Sequence, residues 1–178
     1  LLLTYQVPRR RMLKVCIRMT SQSRHEISVL FVGKRQPEAE REHEEQAEAL
    51  VRDGRLLEIE AADFGLLFPC FDAFIVHGGL GTTVEALRTR RPVAVTGLLL
   101  MDQRFWGGVV EAKRVGPPAV HLDTFKSTCV DFVDRALDAD SEWRANAEAL
   151  WWGEPGDDGV AANVAHFEAL LAAGVAPI

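Results

Sequence analysis

Apolar positions along this chain fall into short continuous runs separated by helical patterns. Ile27-Ser28-Val29-Leu30-Phe31-Val32 reads as a buried strand, as do RLLEI at 55–59, FDAFIV at 71–76, PVAVT at 92–96 and a brief run at 119–122. Residues 1–7 admit one more. Helical spacing links Met12, Val15, Cys16 and Met19, and helices are predicted over 37–52, 82–90 and 102–114. Gly54 stops the first of these three, and Gly116-Pro117-Pro118 stops the last. Strands alternating with helices of about 10–15 residues imply βαβ crossovers, hence a parallel sheet buried on both faces. Beyond Thr124 the pattern is helical: Phe125, Cys129, Phe132, Val133, Ala136 and Leu137 recur at three- and four-residue steps. A break at 153–159 (GEPGDDG) precedes a last helix over 160–173. The expectation is an α/β domain spanning 1–178, a parallel sheet flanked by helices, with its core at about 25–122 and a helical tail at about 124–178.

Composition narrows the function classes. The 178 residues are 48% apolar, enough for a real core, and carry a formal charge of −6. A nucleic-acid binder normally has a basic excess, so none is expected as a partner. Charge is uneven: residues 1–25 hold Arg9, Arg10, Arg11, Lys14, Arg18 and Arg24 and no acid. Such a stretch is either a solvated helix face or a patch for phosphate, an acidic partner or a membrane surface. The acidic run 38–48 reads as a solvated helix face. Cys16, Cys70 and Cys129 lie far apart without CxxC, giving neither a disulfide framework nor a zinc site. No apolar run approaches the roughly 20 residues that span a bilayer, and Leu1-Leu2-Leu3 is too short for a signal peptide. A cytoplasmic location is the expectation.

The chemistry concentrates in FIVHGGLGTTVEAL, residues 74–87, where an apolar strand enters a glycine-rich turn and then a helix. Glycines let backbone approach a ligand closely, and the first N–H groups of a helix, with its dipole, favour an anion. Neither GxGxxG nor the P-loop lysine is present. A tight turn needs glycine in any case. His77 is either a phosphate donor or a strand-end histidine satisfied by backbone. Glu85 closes a Thr82-x-x-Glu85 capping box or accepts from a ribose diol. Asp102 caps the next helix or, with Gln103, offers acceptors and donors suited to vicinal sugar hydroxyls.

Four pieces at fixed spacing resemble a known family. They are Leu67-Phe68-Pro69, then HGGLGT at 77–82, then DQRFWG at 102–107, then Val115-Gly116-Pro117. Together, over residues 63–118, they resemble the C-terminal, donor-binding domain of the UDP-glycosyltransferase superfamily, closest to its bacterial and sterol-type members. The resemblance implies the C-terminal half of a GT-B fold, Rossmann-like, with UDP-sugar as donor substrate and no cofactor or metal. It implies that His77, Gly78, Gly79, Gly81 and Thr82 line the pyrophosphate, with Thr83 as neighbour. Glu85 would bind the ribose, and Asp102 and Gln103 the hexose. The reaction would be an inverting, metal-independent transfer to an acceptor hydroxyl of a lipid, sterol or small molecule.

The chain departs from the family at several points. Val76 stands where a second histidine precedes HGG, and Leu66 stands where an aromatic precedes LFP, with Phe64 nearby. No GS-type turn is evident in 1–20. The family's catalytic base belongs to an N-terminal, acceptor-binding domain. No base is therefore assigned here. The expectation is a catalytically incomplete chain whose partners are a UDP-sugar and that domain of the same protein. Two other readings stay open: a GT-B-like interaction module without catalysis, and a sugar-nucleotide epimerase.

Overall fold

The computed structural model describes residues 2–4, 9–33, 41–150 and 159–173. Six strands are formed: β1 (Leu2–Thr4), β2 (Val29–Val32), β3 (Leu56–Ile59), β4 (Phe74–Val76), β5 (Val93–Gly97) and β6 (Val120–His121). The helices are α1 (Arg9–Gln22), α2 (Arg41–Arg52), α3 (Phe64–Leu67), α4 (Leu80–Arg88), α5 (Met101–Ala112), α6 (Leu122–Leu137), α7 (Glu142–Glu148) and α8 (Gly159–Ala172). A 3-10 turn, Phe68–Cys70, follows α3.

The sheet is parallel throughout, in the order β3-β2-β1-β4-β5-β6. This is the doubly wound order, in which the direction of winding reverses between β1 and β4. Such sheets hold ligands beyond the carboxyl ends of the strands at that reversal. Strand residues alternate between two cores. Val29, Phe31, Ile75 and Ala94 pack with Met12, Met19, Phe125 and Phe132 from α1 and α6. Leu30, Val32, Phe74, Val76, Val93 and Val95 pack on the other side with Phe68, Leu87 and Val110. Phe68 is the hub of that second core, its ring 4.6 Å from Phe64 and 4.9 Å from Phe74.

The core is wider than the 25–122 read from the sequence. Met12, Leu13, Val15, Cys16 and Met19 of α1 are fully buried, and so are Cys129 and Val133 of α6. The stretch from 124 therefore begins as a structural layer of the sheet, not as a tail. Asp63 starts α3 by accepting from the N–H groups of Gly65 and Leu66 at 2.9 and 3.4 Å. This short helix and the turn after it confine the strand expected over 71–76 to three residues. The Pro37 start of the second helix, the 153–158 break and Trp151-Trp152 lie outside the described residues.

The basic start of the chain is spent internally. Arg9 is 3% exposed and forks onto Glu58, with Nε to Oε2 at 2.6 Å and Nη2 to Oε1 at 2.7 Å. Its Nη1 meets Glu44 at 2.6 Å. These hydrogen bonds hold the guanidinium's pKa above its already high ordinary value. Arg24 pairs with Asp138, and Arg11 lies 3.9 Å from Asp123. Three of the cations read as a possible patch thus have acidic neighbours distant in sequence, and Arg9 among them is buried. No helix among the described residues is long and apolar enough to cross a membrane.

Candidate functional site

The HGG turn leaves β4 at the reversal point of the sheet. His77 is half-buried and is followed by Gly78 at φ +89°. A Cβ on Gly78 would lie 2.7 Å from Val95 Cγ1 and 2.9 Å from the Cα of Gln103. Only glycine fits, and its absence of side chain lets the start of α5 pack against the turn. One contact thus joins the HGG and DQ segments, 25 residues apart in sequence. A Cβ on Gly79 would come within 2.5 Å of His77 Nε2, so the imidazole lies folded over the Gly79 backbone.

Gly79 is the N-cap of α4, with Leu80, Gly81 and Thr82 forming the first turn. Thr83 is the first residue whose N–H bonds back along the helix, to the carbonyl of Gly79 at 3.0 Å. The three N–H groups before it carry the positive end of the helix dipole. Beside Gly81 there is open space: a Cβ there would meet no atom within 4 Å.

Several sequence expectations change here. Because α4 starts at Leu80, Thr82 lies within the helix, and the capping box with Glu85 does not form. Glu85 is held instead by Arg88, Oε1 to Nη1 at 3.0 Å. Thr83 is fully buried, and its Oγ1 has no hydrogen-bond partner. It points into the interior, and nothing of it faces the turn's open side. Asp102 is exposed in the first turn of α5, with Leu100 rather than Asp102 at the N-cap. Gln103 accepts from the Leu100 N–H through Oε1 at 2.9 Å. This fixes the carboxamide and leaves its NH2 to donate outward.

His77 Nδ1 is buried without a partner. Burial lowers the His77 pKa from the ordinary 6.5, and the nearby Asp102 charge opposes that shift in part. The imidazole is therefore neutral at neutral pH, with one N–H to donate. The other ring nitrogen, Nε2, lies against Gly79 at the start of α4, the end of the helix that favours an anion.

The apolar run 98–101 links β5 to the start of α5. Leu99 adopts φ 53°, and Arg104 Nε donates to its carbonyl at 2.8 Å. Two hollows open elsewhere. One of about 390 Å³ is floored by Val51 and Leu57 beside the Arg9 ion pairs, and one of about 530 Å³ lies between Arg24 and Asp138. In the first Arg9 is paired with Glu44 and Glu58, and in the second Arg24 with Asp138. Among the described residues no group of three or more His, Cys, Asp or Glu is placed to hold a metal.

Comparison with known proteins bears on this arrangement. No family model matches the chain. A sterol 3-β-glucosyltransferase of Arabidopsis thaliana, UGT80A2, is 35% identical over 102 residues, 57% of this chain and 16% of that protein. The sterol 3-β-glucosyltransferase of Cryptococcus neoformans is 38% identical over 72 residues, 40% of this chain and 4% of the relative. The chain thus spans only a small part of these relatives. Among solved structures, the Oryza sativa protein Os79 in complex with UDP superposes with a TM-score of 0.66 at 17% identity, covering 94% of this chain and 40% of that one. Medicago truncatula UGT71G1, complexed with UDP-glucose, gives a TM-score of 0.63 at 10% identity, covering 83% of this chain and 34% of that one. Local sequence similarity and the doubly wound sheet agree in what the chain resembles: it shares the fold of part of these solved structures and, over 102 residues, is similar in sequence to a sterol 3-β-glucosyltransferase.

Proposed function

We propose that this chain is the donor-binding half of a glycosyltransferase that moves a sugar from a UDP-sugar to the hydroxyl of an apolar acceptor. The observation that carries the reading is the junction of the His77 turn, the α4 N-terminus and the Asp102-Gln103 start of α5. In this reading the pyrophosphate lies over the N–H groups of residues 80–82, and the His77 N–H donates to a phosphate oxygen. Glu85 stands about 9 Å along α4 from Gly79. Its carboxylate, steadied by Arg88, accepts from the ribose hydroxyls. Asp102 accepts from the hexose hydroxyls and the Gln103 NH2 donates to them. The acceptor oxygen forms the new bond to the anomeric carbon as the bond to the β-phosphate oxygen breaks. The helix N–H groups and His77 stabilise the charge that develops on the departing UDP. The base that takes the acceptor proton is not assigned to any residue of this chain. Inversion at the anomeric carbon and independence of metal belong to the same proposal. The sterol glucosyltransferase and UDP-bound relatives named above support it.

Isothermal calorimetry with the 178-residue chain tests it. UDP and UDP-glucose should bind saturably. His77→Ala should weaken both by about 2 kcal/mol, roughly thirtyfold, the value of a hydrogen bond to a charged group. Absence of any binding to the wild-type chain would remove the reading.

Gly81→Ala separates ligand space from packing space. No protein atom lies within 4 Å of the added methyl. Stability should hold or rise by about 0.5–1 kcal/mol, as for alanine in place of a helical glycine. UDP affinity should fall at least tenfold, because the methyl occupies the space given to phosphate. Unchanged affinity in a stable variant would place the phosphate elsewhere.

Proton linkage gives a third test. The free imidazole has a lowered pKa. Fold stability contributed by neutral His77 is therefore present above the ordinary value near 6.5 and is lost as pH falls through the folded pKa. A neighbouring pyrophosphate favours the imidazolium, so ligand binding has the opposite sign. UDP-glucose has no phosphate group that titrates in this range. Its affinity should rise as pH falls from about 7.5 to about 5.5. The rise should be absent in His77→Gln.

A further inference from the structure

The hollow of about 530 Å³ holds charge that the fold leaves unbalanced. Five carboxylates line it, those of Asp131, Asp134, Asp138, Asp140 and Glu142, against the guanidiniums of Arg24 and Arg135. Arg24 pairs with Asp138, and Arg135 lies 3.8 Å from Glu142, which also meets Arg114 at 2.5 Å. Asp134 Oδ1 accepts from Ser23 Oγ at 2.6 Å and from the Arg24 N–H at 3.1 Å. The carboxylates of Asp131 and Asp140 make no ion pair or hydrogen bond among the described residues. Ser23 and Arg24 lead into β2, so the hollow lies at the amino ends of the strands, the opposite edge of the sheet from the HGG turn.

The local structure adds to the imbalance. Asp134, Asp138 and Asp140 stand at the carboxyl end of α6, where the helix dipole is negative and cations are the favoured residues. Ser141 carries an independent signal. It is 6% exposed, it lines this hollow, and its Oγ has no hydrogen-bond partner. Ser141 is the N-cap of α7, where a serine oxygen normally accepts from the helix N–H groups, and here it makes no such bond. A buried hydroxyl without a partner is costly, and it marks a place where a donor is missing.

The spacing of the acids selects the kind of cation. Among the described residues no three of them are placed to hold one metal ion. Asp131, Asp134 and Asp138 instead follow one another along one face of α6, in steps of about 4.5 and 6 Å along its axis. Asp140 is tied to the last of them, its N–H donating to Asp138 Oδ1 at 3.1 Å. We propose that this hollow binds an aliphatic polyamine, whose ammonium groups meet Asp131, Asp134 and Asp140 and donate to Ser141 Oγ. Roughly three or four methylenes between amines bridge steps of that size. An ammonium is a compact charge with three donors and no acceptor, which suits carboxylates and a hydroxyl that lack donors. The site does not depend on the donor-site reading above.

Calorimetry of the full chain with spermidine, at about 0.15 M salt to screen loose charge attraction, tests this. Spermidine should bind saturably. The Asp131→Asn/Asp140→Asn double variant should bind at least tenfold more weakly with an unchanged thermal melt, since neither carboxylate is paired. Ser141→Ala, which loses no cap bond, should weaken binding severalfold. Magnesium at the same concentration should leave spermidine in place. Absence of saturable binding, or wild-type affinity in either variant, overturns the site. Displacement by magnesium shows an ion atmosphere only and overturns it too. A lysine-rich peptide that binds more tightly than spermidine assigns the hollow to a protein partner, which also overturns the proposal.

Discussion

Gly78→Ala should cost about 4 kcal/mol of stability and abolish measurable UDP binding in whatever fraction remains folded. Two independent costs add. The residue sits at φ +89°, where an L-side chain is penalised by about 1–2 kcal/mol. The new methyl would also lie 2.7 Å from Val95 Cγ1 and 2.9 Å from the Gln103 Cα. Val95 is fully packed in the sheet, and Gln103 Cα is helix backbone, so neither yields freely. Overpacking of this kind costs about 1–3 kcal/mol. Relief requires the start of α5 to move away from the HGG turn, which separates Asp102 and Gln103 from His77. Denaturant melts and calorimetry on one preparation read both effects. A variant that keeps wild-type stability and UDP affinity would mean that the turn and α5 are not coupled as described.

Arg9→Met should destabilise the chain by about 3 kcal/mol at neutral pH, although it replaces a charge with an apolar side chain of similar length. Arg9 is almost wholly buried, and it neutralises Glu58 and Glu44, which are 17% and 27% exposed. Removing it takes away the guanidinium that Glu58 shares two hydrogen bonds with and that Glu44 meets at 2.6 Å. The deficit belongs to the buried charge left on Glu58 more than to the lost contact. Arg9→Met combined with Glu58→Met should therefore recover most of the loss, and the double-mutant cycle should show strong coupling. Melts of the three variants check this. Additive losses would show that Arg9 acts by packing alone. UDP affinity of the folded single variant should stay near wild type, since this network ties α1 and α2 to the edge strand β3.

Much of this was legible in the sequence, and the parts that were not have physical reasons. The parallel sheet followed from apolar runs long enough to be buried on both faces, and the two-core alternation at Phe74, Ile75 and Val76 is what such a run becomes. The HGG and DQ segments were legible as chemistry, but their contact was not. It depends on Gly78 having no side chain, and a glycine's close neighbour lies in a distant segment. Of the two readings open for Glu85, the capping box with Thr82 does not form, because the helix already starts at Leu80 after the Gly79 N-cap. Thr83 was grouped with its neighbours by adjacency, yet a helix turns each residue by 100°, and this one faces the sheet. The arginines from 9 to 24 read as either a solvated helix face or a basic patch, because the partners Glu44, Glu58 and Asp138 are far along the chain. Local pattern carries elements and motifs, whereas charge pairing across elements is settled only by the fold.

A nucleoside diphosphate is proposed to sit on the α4 N-terminus beside His77. The most direct test is a nitrogen–proton correlation titration of the isotopically labelled chain with UDP. The amides of Gly79, Leu80, Gly81 and Thr82 and the His77 imidazole should shift saturably, with Kd matching calorimetry. The amides of β3 and of the loop around Asp138 should stay in place. Saturable shifts confined to those other regions, or no shifts at all, would contradict the account.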